Sequence, residues 1–332
     1  MNRKIPLLIS VIVLTGLFVG GCAKAATPVP TATSTITPSP TPTEQACTVG
    51  EAETLLHSPG GTESVAVASD GTIYTADVYS GTVYRIDPDG GSAVVATIPL
   101  DNSLYNNALG VAVSDDGAIW VAVSSVVPQL NNGIWRIGAD GSTTLAFPMD
   151  PNAAPLPNDL VFDPNGTLYI TESSNGAIWR ASPGGIAKPW LQDDLLASQN
   201  QSGGGIGADG IAFRENVLYV GNFAQGTVLQ IPVETDGSPG KPVVIAKAVF
   251  GIDALDFDAL GHLYGVSSSM ALLIRILPDG GSEVVLNLGD MGLISPSGIA
   301  FAQDTGHSAT VYISDPSGLA ASISRLSLCP PG

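Results

Sequence analysis

Six residues recur at one position of a repeated segment: Glu63, Leu109, Asn158, Asp209, Asp253 and Ser297. Glu63, Asn158, Asp209 and Asp253 present side-chain oxygens, and three of these four are carboxylates. If the segments surround an axis and this position faces it, the carboxylates crowd together. Such crowding is unfavourable unless a cation or a proton compensates it. Oxygen-only donors suit a hard cation, with Ca²⁺ ahead of Mg²⁺ or Mn²⁺. The chain has no His or Cys cluster of the kind that selects Zn²⁺. In a competing reading, Asp, Asn and Ser at this position merely shape a turn. That reading suits Asp209, Asp253 and Ser297 better than it suits Glu63.

The repeat that must position them has one grammar throughout. The copy from Glu63 reads ESVAVASDGTIYTADVYSGTVYRIDPDG, and the copy from Asn158 reads NDLVFDPNGTLYITESSNGAIWRASPGG. Each holds an alternating apolar run, a Gly-containing turn, a second run, a short polar loop, a third run and another turn. Turns such as SDG, DDG, PNG and PDG supply the positive φ that tight hairpins need. Copies start 44 to 51 residues apart, a spacing that fits one four-stranded propeller blade. No amphipathic helical stretch competes. The chain is therefore expected to be all-β, a six-bladed β-propeller. The sixth copy runs out after its third strand, ISRLSL, and the segment Ala52–Ser58 precedes the first copy where a fourth strand is wanted. The N-terminal strand is expected to close the ring and remove two open sheet edges.

The ends carry separate signals. Arg3 and Lys4 form a basic head, an apolar run covers 5–19, and Gly20-Gly21-Cys22 follows. This pattern fits a secretory signal over 1–21 and is too short for a membrane span. Cys directly after small residues resembles a bacterial lipobox, which implies acylation of Cys22 and extracytoplasmic anchoring to the cell membrane. Residues 22–46 are rich in Thr, Pro and Ala and serve as a spacer without a fold of its own. The propeller is expected over 47–330. Cys47 and Cys329 flank it, and in an exported compartment they are expected to form a disulfide.

The formal charge of the 332-residue chain is −18, and it becomes −20 once Arg3 and Lys4 leave with residues 1–21. That balance excludes nucleic acid as a partner, because the chain lacks a basic footprint. A monomer is expected. Other motifs fail. Gly205-x-Gly207-x-x-Gly210 precedes a strand, not a helix, so it is no dinucleotide fingerprint. Asp87-Pro88-Asp89-Gly90 is the repeated hairpin turn. His262 and His307 fall in turns on the face opposite the ring position, and His57 reads as a surface residue. A serine-type triad is not supported.

The repeats resemble the NHL and senescence-marker-protein/gluconolactonase propellers, which include regucalcin-like lactonases, over nearly all of residues 51–328. In that family the ring positions of blades one, three, four and five carry Glu, Asn, Asn and Asp. Glu63, Asn158, Asp209 and Asp253 stand at the matching places, and Asn158-Asp159 is similar to the family's Asn-Asp. The resemblance implies Glu63, Asp209 and Asp253 as ligands of a divalent cation, Asn158 as a substrate contact and Asp253 as the general base of lactone or ester hydrolysis. Two departures are plain. Asp209 replaces an Asn, and Val65-Ala66-Val67 lacks the aromatic that often follows the first Glu. Glu172 and Asn222, at the ends of second strands on the same face, are further candidates for substrate contact, with turn capping as their alternative role. The loop 192–207 is a candidate lid beside Asp209. A non-catalytic propeller that binds a ligand or protein partner at the cell surface is the alternative function.

Overall fold

The computed structural model describes residues 49–100, 106–125, 132–149, 155–182, 184–198, 205–303, 308–320 and 322–329. The expectations for residues 1–21, Cys22, the spacer, Cys47 and His307 lie outside these. The described fold falls within the unit Ala46–Gly332.

Six four-stranded antiparallel sheets follow one another along the chain. Blade one comprises β2 (Thr62–Val67), β3 (Ile73–Asp77), β4 (Thr82–Ile86) and β5 (Ser92–Thr97). Blade two comprises β6 (Asn106–Val113), β7 (Ile119–Ser125), β8 (Gly133–Ile137) and β9 (Thr143–Pro148). Blade three runs from β10 (Pro157–Phe162) through β11 (Leu168–Glu172) and β12 (Ala177–Ala181) to β13 (Lys188–Gln192). Blade four contains β14 (Ala208–Arg214), β15 (Val217–Asn222), β16 (Thr227–Pro232) and β17 (Val243–Lys247). Blade five contains β18 (Ile252–Phe257), β19 (Leu263–Ser267), β20 (Leu272–Ile276) and β21 (Ser282–Asn287). The last blade is β22 (Gly298–Phe301), β23 (Ala309–Ser314), β24 (Ile323–Leu328) and, as outer strand, β1 (Glu53–Leu56).

The turns are local in origin. Gly71 and Gly117 take the left-handed conformation in the first hairpins of blades one and two, and the preceding Asp accepts an N–H across each turn. Blade four manages without Gly: Glu215 and Asn216 both adopt positive φ in a two-residue turn of the type that matches strand twist.

Both faces of every blade are covered, so the apolar residues divide into six cores, one at each blade junction. Ala76, Val83 and Ile98 of blade one meet Val111, Val121 and Val123 of blade two. The sixth core joins the two ends of the chain: Leu56, Val65, Ile73 and Ile86 pack with Ala300, Tyr312 and Ile323. A closed ring is the arrangement that gives six junctions to six blades. Its closure by β1 is as expected. Glu53 pairs with Arg325 and Thr54 with Ser324 in the antiparallel ladder, and Arg325 also donates to the Glu53 carboxylate at 2.6 Å.

Candidate metal centre

The ring residues are positioned by a device that alternation alone does not show. On β2, three steps from Thr62 to Val65 face the two from Asp77 to Thr75 on β3. The same extra residue occurs between Ala108 and Val111, Pro157 and Leu160, Ala208 and Ile211, and Ile252 and Ala254. Five inner strands thus carry a β-bulge at the ring position, which re-aims that side chain. The residue that follows is Gly in blades two, four and six. A Cβ on Gly110 would lie 2.4 Å from the Asn158 carbonyl oxygen, and one on Gly210 would lie 2.5 Å from that of Asp253. One on Gly298 would lie 2.9 Å from the Glu63 carbonyl oxygen. Main chain meets main chain at these junctions, and each Gly sets the position of a neighbouring ring residue.

Blades one, three and five carry Ser64, Asp159 and Ala254 at that next position. Ser64 Oγ accepts the Val111 N–H at 3.2 Å, and Asp159 Oδ2 accepts the Ile211 N–H at 3.1 Å. In blade five the corresponding link is made three residues past the ring by Asp256, which accepts the Phe301 N–H at 2.7 Å. Alternate blades therefore tie down the inner strand of the next. Asp159 and Asp256 were not among the residues expected at the axis. Asp159 stands out in the sequence only as half of the Asn158-Asp159 pair, without this role, and Asp256 reads as an ordinary residue of an alternating strand.

The bulges bring Glu63, Asp209 and Asp253 together: one ligand-capable oxygen from each lies within 4.8 Å of the others. Asp209 is buried, while Glu63 and Asp253 keep partial exposure. Asn158 joins them. Its amide nitrogen donates to Asp209 Oδ1 and, at 3.2 Å, to Ser173 Oγ. Among the ring residues, two buried oxygens, Glu63 Oε2 and Asn158 Oδ1, have no hydrogen-bond partner, a costly state for groups in such a site. Ser297 does not add an oxygen to the cluster. Its hydroxyl donates to the Glu63 carbonyl at 2.6 Å, as does that of Ser314.

The electrostatics follow from this crowding. Burial raises the Glu63 carboxyl well above its ordinary range, and the charges of Asp253 and Asp159 add to the effect. Asp209 is raised by burial and by Asp253, Glu63 and Asp159, against the opposing bond from Asn158. Burial pushes Asp253 up to about 7, although a Ser268 hydrogen bond favours its charged form. Asp159 is raised by burial to about 7 and Asp256 to about 6, each partly offset by backbone N–H donors. A divalent cation compensates such a set, and the oxygen-only donors fit a hard one.

The structure commits Glu172 and Asn222 to backbone partners, in a role that recurs around the ring. Glu172 is buried, and its carboxylate accepts the N–H groups of Leu156, Ser174 and Asn175. Asn222 accepts the Gln225 N–H and donates to the carbonyls of Leu195 and Ala197. Asp77 does the same for Tyr79 and Ser80. Closing a second strand with a polar residue holds the two loops that flank it, which is the capping alternative, and leaves these polar atoms committed to backbone. The described part of the candidate lid is likewise pinned: Leu196 is buried, and Gln225 donates to Asp194 and Ala197. Residues 199–204 of that loop lie outside the described residues. His262 pairs with Asp258 at 2.8 Å in a first-hairpin turn, and His57 is exposed. Both positions agree with the non-catalytic reading.

Comparison with known proteins gives the same architecture. A gluconolactonase from Xanthomonas campestris superposes with a TM-score of 0.61 at 18% identity, covering 83% of this chain and 89% of that one. The calcium-binding protein regucalcin from Agrobacterium tumefaciens gives 0.60 at 17% identity, covering 84% and 94%. Virginiamycin B lyase from Staphylococcus aureus gives 0.57 at 19% identity, covering 80% of each chain. These likenesses establish the fold. No curated protein sequence matches the chain. Residues 61–302 match the SMP-30/Gluconolactonase/LRE-like region, a span that contains all six ring positions, and the chain belongs to that family.

Proposed function

We propose that the chain is a divalent-cation-dependent hydrolase of a sugar lactone or related ester, with Ca²⁺ as the preferred ion. The observation that carries this reading is the convergence of Glu63, Asp209 and Asp253 within 4.8 Å, with Glu63 Oε2 and Asn158 Oδ1 buried and unpartnered beside them. Those three carboxylates would hold the ion, which when bound polarises a carbonyl and makes a nearby water easier to deprotonate. Asn158, its nitrogen committed to Ser173 and Asp209, offers Oδ1 to a substrate hydroxyl. Asp253, held by Ser268 and raised by burial, takes a proton from the attacking water. A C–O bond forms at the acyl carbon, the acyl–alkoxy bond breaks, and the proton passes to the leaving oxygen to give the hydroxy acid. Glu172 and Asn222 serve by holding the surrounding loops.

The same reading makes the protein an exported lipoprotein, anchored through Cys22 and locked by a Cys47–Cys329 disulfide. Support for the pairing comes from the backbone bond of 3.4 Å between Gly50 N–H and the Ser327 carbonyl, three residues after one cysteine and two before the other. Non-reducing peptide mapping checks the disulfide, and release of a Cys22→Ser variant from the membrane fraction checks the anchor.

Thermal unfolding with chelator and with added ions, in wild type and Asp253→Ala, tests the centre, alongside a panel of lactones. Ca²⁺ is expected to raise the wild-type Tm by several degrees and to leave Asp253→Ala unmoved. No shift with any divalent ion would end the proposal. A shift without hydrolysis of any lactone would assign the site to binding alone.

A further inference from the structure

One position in the loops that lead into the inner strands differs between the two halves of the ring. Three residues before the ring position, blades one, two and three carry Gly60, Asn106 and Pro155. Blades four, five and six carry Ile206, Phe250 and Ile294, which are 37%, 56% and 54% exposed. Three consecutive blades thus present a large apolar side chain at one equivalent place. Exposed Met270 and Leu319, on the second loops of blades five and six, lie on the same face. Single exposed apolar residues are ordinary, but their recurrence at one equivalent place on three consecutive blades makes an arc that an apolar ligand group can cover.

The patch is built rather than frayed. The Ile206 carbonyl accepts the Ala224 N–H at 3.1 Å, the Phe250 carbonyl accepts the Ser267 hydroxyl at 2.7 Å, and Ile294 N–H donates to Asp315 at 2.7 Å. It also lies close to the ring carboxylates along the chain. Ile206 and Phe250 each precede a ring carboxylate, Asp209 and Asp253, by three residues, at most about 10 Å of chain. A ligand seated on those carboxylates has this apolar arc along the side of blades four to six.

We infer that the substrate is amphiphilic: a lactone or ester whose reacting group sits at the axis and whose alkyl or acyl chain lies along Ile206, Phe250 and Ile294. This rests on the hydrolase reading and, within the lactones and related esters it covers, selects alkyl-substituted ones over polar sugar lactones.

Binding of non-hydrolysable γ-lactams bearing methyl, butyl and octyl chains, measured calorimetrically with Ca²⁺ present, tests the arc without requiring turnover. Affinity is expected to rise roughly two- to fourfold per methylene until the arc is filled. In an Ile206→Ser/Phe250→Ser variant the series should flatten, while the Ca²⁺-dependent rise in Tm stays at its wild-type value and reports an intact fold and centre. Ile294→Ser alone should give a partial flattening. Affinity independent of chain length in wild type, or an unchanged slope in the double variant, would overturn the inference. So would a flat lactam series accompanied by cosedimentation with phosphatidylcholine vesicles that the double variant loses, since the arc would then be a membrane contact. Hydrolysis of the matching lactones is scored separately. A steep lactam series without turnover would sink the hydrolase and leave the apolar arc standing.

Discussion

Asn158 of blade three donates its side-chain amide to the carboxylate of Asp209 in blade four. The bond spans two inner strands and leaves Asn158 Oδ1 without a partner. It stabilises a charge that burial and three neighbouring carboxyls, Asp253, Glu63 and Asp159, oppose.

Replacing Asn158 by Asp removes that donor and adds a fourth carboxylate. The cation-free Asn158→Asp protein is expected to lose about 1–3 kcal/mol of stability at pH 8. Ca²⁺ should restore more stability to the variant than it adds to wild type. Denaturant melts with chelator and with Ca²⁺ read both effects, and equal stability of the two proteins in chelator would contradict the role given to the amide.

The raised carboxyls give a pH dependence with a definite sign. Glu63, Asp209 and Asp253 all lie above the ordinary carboxylate range, Asp253 at about 7. Between about pH 4 and pH 7 the folded protein therefore holds more protons at these groups than the unfolded chain does. Their contribution favours the cation-free fold below that window and declines as pH rises through it. The depressed groups, such as Asp77 and Asp116, act lower, where carboxylates ordinarily titrate. In chelator, Tm should be lower at pH 8 than at pH 5.5. With saturating Ca²⁺ the trend should reverse, because the ion competes with protons for the same oxygens. A chelated protein that gains stability from pH 5.5 to pH 8 would refute this account.

Gly210→Ala tests the close approach behind Asp253. The added methyl would fall 2.5 Å from both the Asp253 carbonyl oxygen and the Ala254 Cα, and main chain does not yield as a flexible side chain does. A loss of about 3 kcal/mol is expected, together with a weakened Ca²⁺ response. Gly117→Ala is the control. It meets nothing within 4 Å and carries only the strain of its positive φ, so it should cost about 1–2 kcal/mol and leave the Ca²⁺ response intact.

Blade five offers a stabilising change. The loops after the second strands of blades one, three and four end on Gly81, Gly176 and Gly226, all with positive φ. In blade five the same place is Ala271, at φ 51°. Ala271→Gly should relieve the left-handed Cβ conflict and raise stability by about 0.5–1 kcal/mol. A drop in the denaturation midpoint would show that the methyl group packs better than its backbone strain costs.

Much of this could be read before any coordinates. Each hairpin repeats its own turn chemistry, so the blades and the ring position were visible as self-similarity, and the trio Glu63, Asp209 and Asp253 followed from that shared register. What stayed hidden was phase. A bulge inserts one residue without a compositional mark, so Asp256 reads as an ordinary strand residue, and Asp159, notable only as half of the Asn158-Asp159 pair, does not read as a tie to the next blade. Glu172 and Asn222 end their second strands, but a polar residue at a strand end looks alike in sequence whether it meets a ligand or a backbone N–H. Only the donors around it, Ser174 and Asn175 or Gln225, tell the two apart.

The last blade also sets a schedule. Glu53 and Arg325, which meet in its outer ladder, are 272 residues apart. At ordinary rates of translation β1 emerges about 15–55 s before its partner exists. Five blades can assemble in that interval, yet the final junction must wait for the closing strand. Ribosome-bound or truncated chains that stop short of β24 would carry two unsatisfied strand edges, which makes them the species most exposed to mispairing with another copy.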